Sequence, residues 1–262
     1  MVAETLYRKY GSSPISVVVL HGGPGGMGEM APVAQKLSSC CGILELFSRG
    51  SSIEEELLEL KAALEKETEM PVILIGYSFG AWLGCLFAAT FPALVRKLLL
   101  ISCPPFEEKY VPSIMQKRLE RISSSEVEEF NTLKKKLGDP NQTDKNTLFA
   151  LLGQFFQKVD SFEPTVTDSD LSECSYTIFE KVWKEAQELR LSGALVKFLE
   201  KIVCPITAFH GEWDPHPSEG AFAPLSRSIH NFKGILLKEC GHTPWIERKA
   251  QDRFFALLKE NI

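Results

Sequence analysis

The chain is short of everything that would tie it to a membrane or to nucleic acid. None of its apolar stretches approaches the roughly 18 residues needed to span a bilayer. The opening Met1-Val2-Ala3-Glu4-Thr5-Leu6 has neither the basic start nor the apolar core of an export signal. The expectation is a cytoplasmic protein with no membrane partner. An excess of one charge is missing too: 29 Lys and Arg stand against 34 Asp and Glu, for a net charge of -5. With no long basic stripe interleaved with aromatics, nucleic acid is excluded as a partner, and Lys134-Lys135-Lys136 reads as a solvated helix face. The 7 cysteines form no CxxC pair and no His/Cys cluster with zinc spacing, so no metal is expected. An odd count, with Cys85, Cys103, Cys174 and Cys204 set among apolar residues, points to reduced core thiols in place of a disulfide framework.

What the chain has is enough apolar material, 44% of 262 residues, to bury the core of one α/β domain carrying an insertion. Strand-like and helix-like segments alternate up to about Ser102 and again from about Val203, as a mostly parallel sheet covered by helices requires. Glu54 to Lys66 reads as an amphipathic helix and Phe79 to Phe91 as a buried one. Between them lies the most informative run, Gly76-Tyr77-Ser78-Phe79-Gly80, which follows the apolar Pro71 to Ile75. Two glycines around a serine let a strand turn sharply into a helix and expose the hydroxyl, which makes Ser78 a candidate nucleophile. Three more strand-like runs end in loops rich in chemistry. Val17 to Leu20 leads into His21-Gly22-Gly23-Pro24-Gly25-Gly26, Pro205 to Phe209 into His210-Gly211-Glu212-Trp213-Asp214, and Gly234 to Lys238 into Cys240-Gly241-His242. A neutral hydroxyl is a poor nucleophile near pH 7, so His242 is the expected base and Asp214 its orienting acid, ahead of Glu212 and Asp252.

The glycine loop, the elbow, the Gly211 to Asp214 loop and the Gly241-His242 pair together resemble the α/β-hydrolase family over nearly the whole chain. Within that family the His-Gly-Gly-Pro-Gly-Gly run is similar to proline iminopeptidases, although Tyr77 and Phe79 replace the Gly and Trp usual at their elbow. The resemblance implies a doubly wound core over 1–103 and 194–262, and a helical cap inserted at 104–193 above the strand ends. It also implies an oxyanion hole made by the backbone N–H groups of Gly23 and Phe79. The expected function is a serine hydrolase that cleaves a small ester, amide or N-terminal peptide bond through an acyl-enzyme, without cofactor, on a small-molecule or short-peptide substrate. The alternatives are a carbon–carbon bond hydrolase, a thioesterase, or a ligand-binding protein with a vestigial triad.

The remaining candidates surround that site. Gly22, Tyr77, Trp183, Trp213 and Trp245 are candidates for the substrate pocket, Trp213 and Trp245 reading equally as loop packing, joined by two or three of the cap aromatics Phe149, Phe155, Phe156, Phe162, Tyr176 and Phe179. An aminopeptidase needs a carboxylate for the substrate's ammonium, and Asp160, Glu163, Asp168, Asp170, Glu173 and Glu219 are the candidates. His216, between two prolines, either contacts substrate or caps its loop; His210 and His21 read as structural, and His230 as a surface residue. Arg49 either anchors its loop or meets a substrate carboxylate.

Overall fold

The computed structural model describes residues 6–165 and 174–262. The first two strands are β1 (Tyr7–Tyr10) and β2 (Ile15–Leu20), followed by α1 (Ala31–Leu37), β3 (Gly42–Leu46) and α2 (Ile53–Glu67). Then come β4 (Val72–Tyr77), α3 (Phe79–Thr90) and β5 (Val95–Ile101). The helices α4 (Val111–Glu120), α5 (Ser124–Leu137), α6 (Lys145–Asp160), α7 (Tyr176–Leu191) and α8 (Ala194–Leu199) separate β5 from β6 (Ile206–Gly211). The chain closes with α9 (Ser218–Ser228), β7 (Phe232–Leu237) and α10 (Gln251–Glu260). The sheet order is β1-β3-β2-β4-β5-β6-β7, with β1 antiparallel to β3 and every other pairing parallel.

Strand alternation explains why the sheet is covered on both faces. Val18, Leu20, Leu74, Leu98 and Leu100 point into one hydrophobic cluster with α2, α3, α8 and α9. Their neighbours Val17, Val19, Ile73, Ile75, Leu99 and Ile101 point into a second, shared with α1 and α10. Consecutive residues of a strand face opposite sides, so a run apolar at every position must be buried on both. Helix α3 carries no charged residue, and all of Phe79 to Ala89 is buried, as expected of a helix against the centre of the sheet. Helix α2 is amphipathic: Ser52 caps it by accepting the Glu55 N–H, Glu54 to Glu56 fill its first turn and Lys66 its last, each suited to the helix dipole.

Helices α4 to α7 lie in the segment read as a cap, 104–193, and α8 begins the part read as core. Helix α8 sends Leu195 and Leu199 into the cluster that holds α3, so it belongs with the covering layer of the sheet. Four parallel strands end at the loops named from sequence, which brings His21, Ser78, Asp214 and His242 to the carboxyl edge. This edge is where open α/β sheets bind ligands. All 7 cysteines are free thiols. Cys85, Cys103 and Cys204 are buried as expected, but Cys174 is half-exposed and Cys240 is in the core. The Lys134 to Lys136 side chains are solvated in the last turn of α5.

Candidate active site

The turn from β4 into α3 is as tight as its glycines allow. A Cβ on Gly76 would lie 2.2 Å from the Gly80 carbonyl oxygen, and one on Gly80 would lie 2.4 Å from that of His21. Only hydrogen fits at either position. Between them Ser78 has φ 50° and ψ -118°, a conformation costly for any residue with a Cβ. Its N–H donates to the Ile101 carbonyl and its own carbonyl accepts the Ala81 N–H, both at 2.9 Å, so the strained residue is held from both sides.

Three loops converge on that hydroxyl. His242 Nε2 stands 3.1 Å from Ser78 Oγ, and His242 Nδ1 lies 2.7 Å from Asp214 Oδ2. Burial alone would raise the Asp214 carboxyl, but the facing imidazoles of His242, His216 and His210 hold it well below the usual carboxylate range. Burial likewise opposes a charge on His242, and the adjacent Asp214 carboxylate overcomes it, so its pKa is raised. A histidine whose imidazolium is stabilised by a buried carboxylate is equipped to take a proton from a neighbouring hydroxyl. Glu212 is exposed and offers no competing acid. His210 donates from Nε2 to the His216 carbonyl at 2.8 Å, and burial lowers its pKa, consistent with the structural role expected of it. His21 Nδ1 sits 2.8 Å from the Gly22 carbonyl inside the glycine loop.

Two carboxylates that sequence reasoning passed over hold this arrangement together. Glu247 is fully buried; its Oε1 accepts the Gly241 and Phe162 N–H groups and its Oε2 that of Glu163, each at 2.8 Å. The His242 N–H donates to the Asp160 carbonyl at 2.9 Å, so the histidine loop is bonded through its backbone to the end of α6. Glu29 accepts the Gly22 N–H at 3.0 Å through Oε2. Burial raises Glu29 to about 7, while the His242 charge and the Gly22 amide pull the other way. In sequence Glu247 begins a charged Glu-Arg-Lys run that looks solvated, and the loop that buries it lies 84 and 85 positions upstream.

The amides of Gly23 and Phe79 make no hydrogen bond among the described residues. Phe79 opens α3, where the first N–H groups have no partner within the helix. Gly23 has φ 28° with open space where a Cβ would be. The pocket candidates divide. Trp183 is half-buried and lies beside Phe79, with centroids 6.5 Å apart, in a stack with Trp82 and Phe179. Trp213 is 42% exposed, covered by the Arg121 guanidinium at 4.4 Å and edged by Phe162.

Gly22, Tyr77 and Trp245 are buried and packed together beside His242. A Cβ on Gly22 would meet the Tyr77 ring at 2.8 Å. The Tyr77 hydroxyl is bonded to Thr243 Oγ1 at 2.9 Å, and its ring lies between His242 and Trp245 with centroids 5.2 and 4.6 Å away. These residues brace the histidine from behind. Phe155 and Phe156 pack on Phe130, and Phe149 on Tyr176 and Phe179, within the helices themselves. Asp168, Asp170 and Glu173 lie outside the described residues. The grouping with metal-ligand spacing among the described residues is Asp214, His216 and His242, with donor atoms within 4.8 Å of one another. Those atoms are already hydrogen bonded together, so an ion there would have to break the Asp214–His242 pair. No helix of the described residues is long and apolar enough to cross a membrane.

No protein-family model and no curated protein matches the sequence. Solved structures do. An N-acyl homoserine lactone degrading enzyme superposes with TM-score 0.66 at 17% identity, over 98% of this chain and 96% of that one. The enol-lactonase from Burkholderia xenovorans gives 0.62 at 17%, over 97% and 94%. An alpha/beta hydrolase enzyme from a metagenome of lagoon sediments in Morocco gives 0.58 at 19%, over 97% and 92%. At these identities the likeness establishes the fold, which is that of the α/β-hydrolases.

Proposed function

We propose that the chain is a serine hydrolase that cleaves a small ester or amide through an acyl-enzyme on Ser78. The observation that carries this is the contact of His242 with Ser78 Oγ at 3.1 Å and with Asp214 at 2.7 Å, on a serine held at φ 50°. In this reading Ser78 Oγ attacks the substrate carbonyl carbon as its proton passes to His242 Nε2. The tetrahedral oxyanion is received by the Gly23 and Phe79 amides. Collapse breaks the bond to the leaving group, which takes the proton from His242. A water molecule then attacks the acyl-serine, gives one proton to His242, and the carboxylic acid departs as that proton returns to Ser78.

The surroundings favour an ester or amide over the N-terminal peptide bond of an aminopeptidase. Asp160 is engaged in a buried pair with Arg118, Glu163 lies between Arg248 and Lys249, and Glu219 is exposed, so none of the described acids named for amine recognition stands free at the serine. Carbon–carbon and thioester cleavage use the same constellation and belong in the same screen. Because two of the structural neighbours act on lactones, cyclic esters belong there as well. Turnover of short-chain esters, amides, thioesters and lactones by wild type and Ser78→Ala tests the proposal. A loss of about 10⁴-fold or more is expected in the variant, and equal turnover by folded Ser78→Ala would refute it.

A further inference from the structure

Asp214 carries two imidazoles. While Oδ2 takes the Nδ1 of His242, Oδ1 lies 2.8 Å from His216 Nδ1 and accepts the His216 backbone N–H at 2.9 Å. The two rings lie against each other, with centroids 4.5 Å apart and planes 32° from parallel. Both are pinned through Nδ1 to one carboxylate, so each ring turns its Nε2 away from it. That of His242 meets Ser78 Oγ at 3.1 Å, and that of His216 takes no hydrogen bond from any described residue. The His216 side chain keeps 12% exposure, and its backbone is fixed by the buried His210, whose Nε2 donates to the His216 carbonyl.

We infer that His216 is a substrate-contacting residue whose Nε2 accepts a hydrogen bond from an O–H or N–H carried by the leaving group, beside the atom that His242 protonates. This rests on the serine-hydrolase reading and deepens it. The charged groups that act on the ring are Asp214 from its own loop, His242 from the loop after β7 and Arg118 from α4. Burial, with help from His242 and Arg118, brings His216 down to about 4 in spite of Asp214, so the ring is neutral near pH 7. A neutral ring that donates from Nδ1 to Asp214 has its lone pair on Nε2. A second acceptor, on a ring whose centroid lies 4.5 Å from that of His242, suits esters of vicinal diols, in which one oxygen leaves and its neighbour carries a hydroxyl. It also suits amides whose departing amine keeps an N–H. An alkyl alcohol cannot fill it.

The test compares 2-hydroxyethyl and propyl butyrate, which share an acyl group and nearly a shape. Wild type, His216→Phe and His216→Asn are assayed on both, with fluorophosphonate labelling of Ser78 measured in each. The asparagine can still donate to Asp214 but cannot reach the leaving group. Wild type should favour the hydroxyethyl ester in kcat/KM by about three- to tenfold, and in both variants the ratio should fall to about one while Ser78 still labels. Absence of the preference in wild type, or an unchanged ratio in a variant that labels, would overturn the inference and leave the serine-hydrolase reading standing. Failure of wild type to label would remove both. If the variants do not fold, ¹⁵N NMR of wild-type His216 decides: an Nδ1–H tautomer with bare Nε2 supports the assignment, and an Nε2–H tautomer at pH 7 refutes it.

Discussion

Replacing Glu247 by glutamine keeps the shape of a buried side chain and removes its ability to accept at both ends. In the native protein Oε1 receives two N–H groups and Oε2 one, from Gly241, Phe162 and Glu163. With the amide oxygen in the Oε1 position, the NH₂ group faces the Glu163 N–H, donor against donor. With the amide reversed, it faces Gly241 and Phe162, which is worse. At least one amide loses its acceptor, at a cost of about 1–3 kcal/mol, and the bonds that remain lose the reinforcement of a full charge. In a chain of this length each kcal/mol moves Tm by about 2–4 °C, so a fall of about 2–12 °C is expected. Because Gly241 precedes His242, the rate at which a fluorophosphonate phosphonylates Ser78 should fall as well. Urea unfolding and thermal melts at pH 7, run beside fluorophosphonate labelling kinetics, check both effects. Stability within about 0.5 kcal/mol of wild type, together with an unchanged labelling rate, would refute the claim that this carboxylate joins the histidine loop to the 162–163 loop.

Further outcomes follow from the strain and the charges. The acid limb of kcat/KM should lie above the ordinary histidine value of about 6.5, because His242 is useless as a base when protonated and Asp214 raises its pKa. Asp214→Asn should lower that limb and cost about 10³–10⁴-fold in kcat, read from a pH–rate profile. Ser78→Gly should be more stable than Ser78→Ala by about 1–3 kcal/mol, since only glycine adopts φ 50°, ψ -118° without penalty; equal melting of the two would deny the strain. Glu56 is fully buried on α2, and burial, with Glu59 and Glu185 nearby, raises it to about 8. The folded protein then holds a proton that the unfolded chain lacks between about 4.5 and 8, so this residue removes up to about 5 kcal/mol of stability as pH rises through that window. Glu56→Gln should flatten the alkaline loss in urea midpoints measured from pH 5 to 9.

Local signals carried most of the fold. The elbow, the apolar strand at Val72 to Tyr77 and the uncharged helix after it lie within one stretch of chain, so spacing alone placed Ser78 at the carboxyl edge of the sheet. His242 and Asp214 were placed from sequence because each sits in the loop that follows a strand-like apolar run. Glu247 was not, because its partners Phe162 and Glu163 are backbone amides in a loop that only the fold brings near, and Glu29 was not, because nothing in a lone glutamate seven residues after Gly22 marks it as that amide's acceptor. The orientation of Tyr77 was hidden for a related reason. Being the last residue of β4, it faces the same cluster as Ile73 and Ile75, which sets its ring against His242. His216 left two readings open in sequence; its contact with Asp214 follows from a loop closed by His210.

Whether Ser78 is an activated nucleophile is tested, without a choice of substrate, by intact mass after treatment with a fluorophosphonate. Wild type should gain a single stoichiometric adduct that folded Ser78→Ala does not form. An adduct that persists in Ser78→Ala, or none on folded wild type, would contradict that role for Ser78.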